Sequence, residues 1–162
     1  IGGATTGAVG FFLGKNLTPR PEPLAQAVRL PPFSMPTSSG GLFHSDTISD
    51  RVIIINFWAT WCAPCRREIP LLIATQAIHK GSITVIGIAI DDLEAVQIFE
   101  DEIGLDYTSL VGKTPAFALL EKFGNAGQLP FTLVFDKRRN LRFKKTGEIT
   151  AGDIDDWVNA LL

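Results

Sequence analysis

The stretch "RVIIINFWA", Arg51 to Ala59, restricts the fold more than any other. It is a run of β-branched and aromatic residues with almost no polar alternation. A strand wetted on one face alternates apolar with polar residues. A strand without alternation has to be covered on both faces, as a central strand of an α/β sheet is. "SITVIGIAI", Ser82 to Ile90, is a second run of this kind. The segment between them reads as a helix that begins near Cys62 and closes at "HKG". His79 and Lys80 would sit in its last turn and favour the helix dipole, with Gly81 as the C′ residue. Strand, helix and strand then imply a right-handed parallel crossover.

The remaining segments extend this unit. Phe33 to Ile48 reads as a hairpin with Ser-Ser-Gly-Gly at its turn and with His44 on the surface. "DDLEAVQIFEDEIG" reads as an amphipathic helix with Leu93, Val96, Ile98, Phe99 and Ile103 as its apolar set. "YTSLVG" is a short strand. "TPAFALLEKFG" is a helix with Thr114 as N-cap, Pro115 at N1 and Gly124 past its end. "FTLVFDKRRNLRFKKTG" is a hairpin turning at Lys137 to Asn140, its basic residues discouraging edge pairing. "TAGDIDDWVNALL" closes as a helix with Ile154, Trp157, Val158 and Leu161 inward. A chain of 162 residues, 46% hydrophobic and 20% charged, can bury one core of this size. The expected fold is therefore α/β, a central mixed sheet flanked by helices.

The start of the chain differs in character. Ile1 to Gly14 is apolar, rich in small residues and uncharged, with no initiator Met. It is too short to span a bilayer, which takes about 20 residues. It is expected to be the remainder of a membrane anchor or signal segment, with glycines at the spacing found where membrane helices pack. Residues 15–27, with three prolines, read as an extended tether, and residues 28–162 as the domain. A net charge of −2 and the absence of phosphate-cradling or RNA-binding motifs give no sign of a nucleic-acid partner.

Both cysteines, Cys62 and Cys65, lie in "NFWATWCAPCRREIP". As a staple, so short a loop would constrain the unfolded chain by only about 2 kcal/mol. A closed zinc site wants four ligands, and the chain offers two cysteines and two distant histidines. Two thiolates suit Cu(I), which keeps a copper carrier open. The fourth reading is electron exchange. A thiol exchanges disulfides as thiolate, and a helix start favours the anion through unpaired N–H groups and the dipole. Cys62 would sit there, with Arg66 and Arg67 adding positive charge. Cys65, three residues on, would be the more sheltered thiol. Pro64 fixes the backbone between them. Trp61 and Trp58 offer an apolar rim, although Trp58 also suits the core. Pro70 should kink the helix by clashing with the Arg66 carbonyl.

At this point the stretch "VIIINFWATWCAPCRREIP" resembles the active-site segment of the thioredoxin superfamily, and within it the TlpA/ResA/CcmG group of membrane-tethered thiol-disulfide oxidoreductases. The resemblance spans about Val28 to Leu162. It implies a thioredoxin-like fold with an N-terminal β-hairpin and, over roughly Asp92 to Val111, a helix–strand insertion. It implies Cys62 as nucleophile, Cys65 as resolving thiol and Glu68 as an acid near them. It implies that Pro130, in "QLPFTLVF", is cis and faces the disulfide, and that Leu129 offers backbone groups to a bound substrate chain beside Trp61, Ala63 and Pro64. Phe131 stands where the group often has a small Thr, which would make the groove narrower or more apolar.

Plain thioredoxins carry a buried acid at the position of Asn56, which cannot titrate. Glu68 shares a helix face with Cys65. Partly buried, it would be hard to keep charged and could take the proton of Cys65 as a mixed disulfide resolves. The expected activity is reduction of disulfides in exported proteins, cytochrome c maturation and copper-site assembly being the group's substrates. A membrane thiol donor would supply the electrons, and the address would be periplasmic or on the outer face of the bacterial inner membrane. No cofactor or bound metal is expected, and a monomer suffices. A peroxidase on this fold wants Thr or Ser three residues before its cysteine and Pro seven before. Cys62 has Ala59 and Ile55 at those places, and Cys65 has Cys62 and Trp58.

Overall fold

The computed structural model describes Gly2 and residues 28–162, so the anchor and tether expected before Val28 lie outside the described residues. A hairpin of β1 (Ser34–Pro36) and β2 (Leu42–His44) leads into β3 (Val52–Trp58), α1 (Ala63–Ile78), β4 (Ile83–Ala89), α2 (Leu93–Ile103), β5 (Thr108–Val111), α3 (Lys113–Lys122), β6 (Phe131–Phe135), β7 (Leu141–Thr146) and α4 (Ala151–Leu161). The main sheet runs β5-β4-β3-β6-β7. Its first three strands are parallel, and β6 and β7 are antiparallel additions. Every residue of β3 is buried, as an apolar run without alternation demands.

The side chains of β3 divide between two layers. Ile54 and Trp58 meet Cys65, Ile69 and Leu72 of α1, with Phe99 of α2 and Trp157 of α4 in the same cluster. Ile53, Ile55 and Phe57 meet α3 and the hairpin on the opposite face. The hairpin is tied to the sheet edge through Ser38 N–H donating to Ser109 O at 3.0 Å, and to α2 through Gln97 Nε2 donating to Ser38 O at 2.6 Å. Thr150 and Asp153 cap α4 reciprocally.

Four expectations are corrected. In α1, His79 is the C-cap residue and Lys80 lies beyond the helix, bridged to Ile83, so neither occupies the last turn. Gly81 still takes a positive φ of 100°, one residue later than a C′ glycine. In α3, Gly112 is the N-cap, and Thr114 and Pro115 fall inside the first turn. Proline is tolerated there because the first N–H groups have no intrahelical acceptor. In α2, Ile98 is 62% exposed and Leu93 also faces out, because Val96 and Phe99 suffice to fill the layer over the sheet. Phe131 is buried against Phe57 with ring centroids 5.9 Å apart. It points into the α3-side core and so does not narrow a groove at the cysteines.

Candidate active site

β3 ends at Trp58, and four residues later the chain enters α1 with Cys62 as N-cap. The turn between them is held from β4. Asp91, just past that strand, accepts from Thr60 N–H at 3.0 Å and from Thr60 Oγ1 at 2.6 Å. Burial raises the Asp91 carboxyl, but the Thr60 hydroxyl, the Asp92 and Thr60 N–H groups and the nearby Lys113 charge together hold it below its ordinary value. Arg66 secures the turn from the helix side: it donates to Thr60 O at 3.3 Å, and its guanidinium lies 4.4 Å over the Phe99 ring.

Cys62 and Cys65 are joined in a disulfide with Cα atoms 5.3 Å apart. Cys62 Sγ accepts from Cys65 N–H at 3.3 Å, one of the free donors of a helix start. Cys62 keeps 6% of its surface open and Cys65 none, so the pair is asymmetric in the expected sense, though Cys62 is only slightly open. Trp61 is 70% exposed beside them, while Trp58 is wholly buried in the core. Ala63 is exposed and Pro64 half-buried at the start of α1. Pro70 lies within α1, which continues to Ile78.

The Leu129–Pro130 peptide is cis. Phe131 pairs with Phe57, so Pro130, one residue further, comes level with Trp58 at the end of β3 that leads to the cysteines. Leu129 is half-buried and packs on the cluster that contains both cysteines. The approach to this peptide is shaped by buried Asn125. Its Oδ1 accepts from Gly127 N–H at 2.7 Å and Gln128 N–H at 2.8 Å, and its amide donates to Gln128 O. Asn125 is an Asx residue two positions before Gly127, a turn signal that the sequence carries.

Glu68, one turn along α1 from Cys65, is 1% exposed. Its Oε1 accepts from Asn56 Nδ2 at 2.6 Å and its Oε2 from Ile149 N–H at 2.7 Å. Asn56 also donates to Thr132 Oγ1 at 3.0 Å. Burial pushes the Glu68 carboxyl up to about 7, outweighing the two hydrogen bonds that favour the anion. The nearby Glu148 charge raises it further, and Lys145 lowers it. Glu148 is itself gripped by Arg67, whose Nη2 donates to Oε2 at 2.6 Å. Arg67 is therefore paired, leaving Arg66 as the basic side chain nearer the turn. Thr132 and the Ile149 N–H carry no signal of this role in the sequence, since both arrive from distant segments.

A disulfide at a helix N-terminus, a buried carboxylate behind it and a cis proline alongside define a thiol-disulfide oxidoreductase on a thioredoxin-like scaffold. The chain belongs to the AhpC/TSA family, whose profile matches residues 27–144. It is 31% identical over 160 residues to the thiol:disulfide interchange protein HelX of Rhodobacter capsulatus, covering 94% of this chain and 86% of that protein. It is 26% identical to the thiol-disulfide oxidoreductase ResA of Geobacillus kaustophilus, covering 95% of this chain and 88% of that protein. A thiol:disulfide interchange protein of the thioredoxin family from Chlorobium tepidum has the same fold. Its TM-score is 0.77 at 28% identity, with 84% of this chain and 97% of that one covered.

Proposed function

We propose that this oxidoreductase works as a reductase of disulfides in exported proteins, with Cys62 attacking and Cys65 resolving. The observation that carries the reading is the buried carboxylate of Glu68 on the same helix face as Cys65. A carboxyl titrating near neutrality can accept the Cys65 proton at the moment that thiol must become a nucleophile. Trp61, Ala63, Pro64, Leu129 and Pro130 would form the surface that receives the substrate chain. The resemblance to the TlpA/ResA/CcmG group supports substrates in cytochrome c maturation, with copper-site assembly proteins as the second class. A membrane thiol donor would return the protein to its dithiol form. In this reading, residues 1–14 belong to an anchor or signal segment and residues 15–27 form a tether. Together they place the domain on the outer face of a bacterial inner membrane.

The deciding measurement is the reduction potential of the Cys62–Cys65 pair in a dithiothreitol or glutathione titration. A potential well below DsbA's roughly −120 mV is expected, and a value near or above that overturns the reductase assignment. The same two thiolates are a donor set for Cu(I), which favours soft sulfur ligands. Copper held stoichiometrically after mild purification, without disulfide reductase activity, would replace the enzymatic reading with that of a carrier.

A further inference from the structure

Five buried side-chain polar atoms among the described residues have no hydrogen-bond partner: Asn56 Oδ1, Trp58 Nε1, Glu100 Oε1, Tyr107 Oη and Ser109 Oγ. Two of them, Asn56 Oδ1 and Ser109 Oγ, lie on one line across the sheet. Strand register aligns Ser109 with Gly87, Gly87 with Asn56, Asn56 with Thr132 and Thr132 with Lys145. Register partners project to one face, so a polar row with a single glycine crosses all five strands. The strand residues on either side of it belong to the apolar cluster under α1 and α2. A core layer gains nothing in packing from such a row, and each unpaired polar atom costs desolvation.

The two ends of the row differ. At the centre, Asn56 holds Glu68. At Gly87 the missing side chain makes room for two rings: a Cβ there would lie 3.0 Å from both Trp58 Nε1 and Tyr107 Cε2. Beyond them, Tyr107, Ser109 and Glu100 line a cavity of about 250 Å³ whose wall is completed by Thr37, Ser38 and Ser39 of the hairpin turn. Ser39 is exposed, so the cavity reaches solvent at the turn. Burial, with the negative charges of Glu68 and then Glu100, raises the pKa of the Tyr107 phenol, so this hydroxyl stays protonated while lying within the field of both carboxylates. A neutral hydroxyl can accept one proton while donating another.

We propose that Tyr107, Ser109 and Glu100 form the exit by which a proton held on Glu68 reaches solvent, between β5 and α2. The inference rests on Glu68 being the proton acceptor. In the resolving step, Cys65 S–H gives its proton to the Glu68 carboxylate. The Cys65 thiolate then attacks Cys62 Sγ of the mixed disulfide. The Cys62–Cys65 bond forms, the bond from Cys62 to substrate breaks, and the substrate thiolate leaves to take a proton from solvent. Glu68, now neutral and buried, holds that proton until Cys65 reclaims it on re-reduction or until it is exchanged with solvent. On its way to solvent the proton passes Tyr107 and Ser109 and reaches Glu100 at the cavity edge; these atoms make no direct hydrogen bond to one another, so water admitted to the cavity carries it between them. Asn56 and Trp58 line the path and orient its inner end.

The other side of Glu68 carries the remaining charges: Lys145 of β7, paired with Asp153 of α4, and Glu148 of the β7–α4 turn, paired with Arg67 of α1. There the Ile149 N–H occupies Oε2, so an exit past Glu148 is the rival route.

Carboxyl-13C NMR of Glu68 in the full chain tests the proposal, because it reads both the titration midpoint and the rate of proton exchange. Tyr107→Phe keeps the ring and removes only Oη, and Ser39→Trp obstructs the cavity from outside. Both should leave a midpoint near neutrality and slow the exchange, Tyr107→Phe by about 100-fold, the lower end of what a positioned proton-transfer group supplies. Ser109→Ala serves as a second relay variant with little effect on packing. Unchanged exchange in all three variants overturns the route, as does slowing confined to Glu148→Gln. A Glu68 carboxyl that does not titrate near neutrality overturns the acceptor assignment itself, and the exit with it.

Discussion

Asn56 donates its side-chain amide to Glu68 Oε1 across 2.6 Å, from the middle of β3 to the second turn of α1. Asn56, at the position where plain thioredoxins carry an acid, thus holds the carboxyl that we propose takes over that role. An amide donor favours the carboxylate but cannot compensate fully for its removal from water, which is why the carboxyl stands at about 7 rather than in the usual range.

This placement has a consequence for stability. Unfolded, Glu68 ionises near the ordinary value of 4.5; folded, it remains protonated to about 7. Between those values the folded state binds more protons, so stability falls as pH rises through that window. The loss is up to about 3 kcal/mol by linkage. Glu68→Gln, neutral at every pH, should flatten this slope in urea unfolding of the disulfide form followed from pH 4 to 8. A variant with the wild-type slope would show that another group is responsible.

Cys65→Ser should accumulate mixed disulfides through Cys62, because the resolving thiol is gone while the more open sulfur is kept. Mass spectrometry of trapped adducts reads this directly. Cys62→Ser should trap none, since Cys65 is fully buried.

The Arg67–Glu148 pair is solvent-exposed, and such pairs contribute at most about 1 kcal/mol. Glu148→Gln should therefore change the melting temperature little. It should nevertheless lower the apparent pKa of Glu68, because the Glu148 charge disfavours the neighbouring carboxylate. The pH profile of mixed-disulfide resolution should move down correspondingly. A profile that moves up would mean that the pair acts chiefly by holding the Ile149 N–H in place.

Gly87→Ala places a methyl 3.0 Å from the Trp58 indole nitrogen and from the Tyr107 ring, both in a packed interior. Overpacking of this kind typically costs about 1–3 kcal/mol. Chemical denaturation should show a loss in that range with the m-value unchanged.

The core of the fold was legible because its determinants are local. The runs at Arg51–Ala59 and Ser82–Ile90 have no polar face to present, so they had to become central strands. "WCAPC" had to fall at a strand-to-helix turn, since a helix follows directly. Helix ends were less legible. Thr114 has the chemistry of an N-cap, but Gly112, at φ 147°, starts α3 two residues earlier. An isolated residue after a proline does not disclose which face of the strand it takes; for Phe131, pairing with Phe57 decides it.

What the sequence determined by itself is the buried strands, the cysteine pair at a helix start, and the presence of a carboxylate one helical turn beyond Cys65. What only tertiary structure decided is the company of that carboxylate. Asn56, Thr132 and the Ile149 N–H come from three separate segments, and the row from Lys145 to Ser109 exists only in the register of five strands. Helical spacing of three or four residues is written along the chain. The alignment of one strand with another is set by which faces of all the strands can be buried together, a condition that no single segment contains.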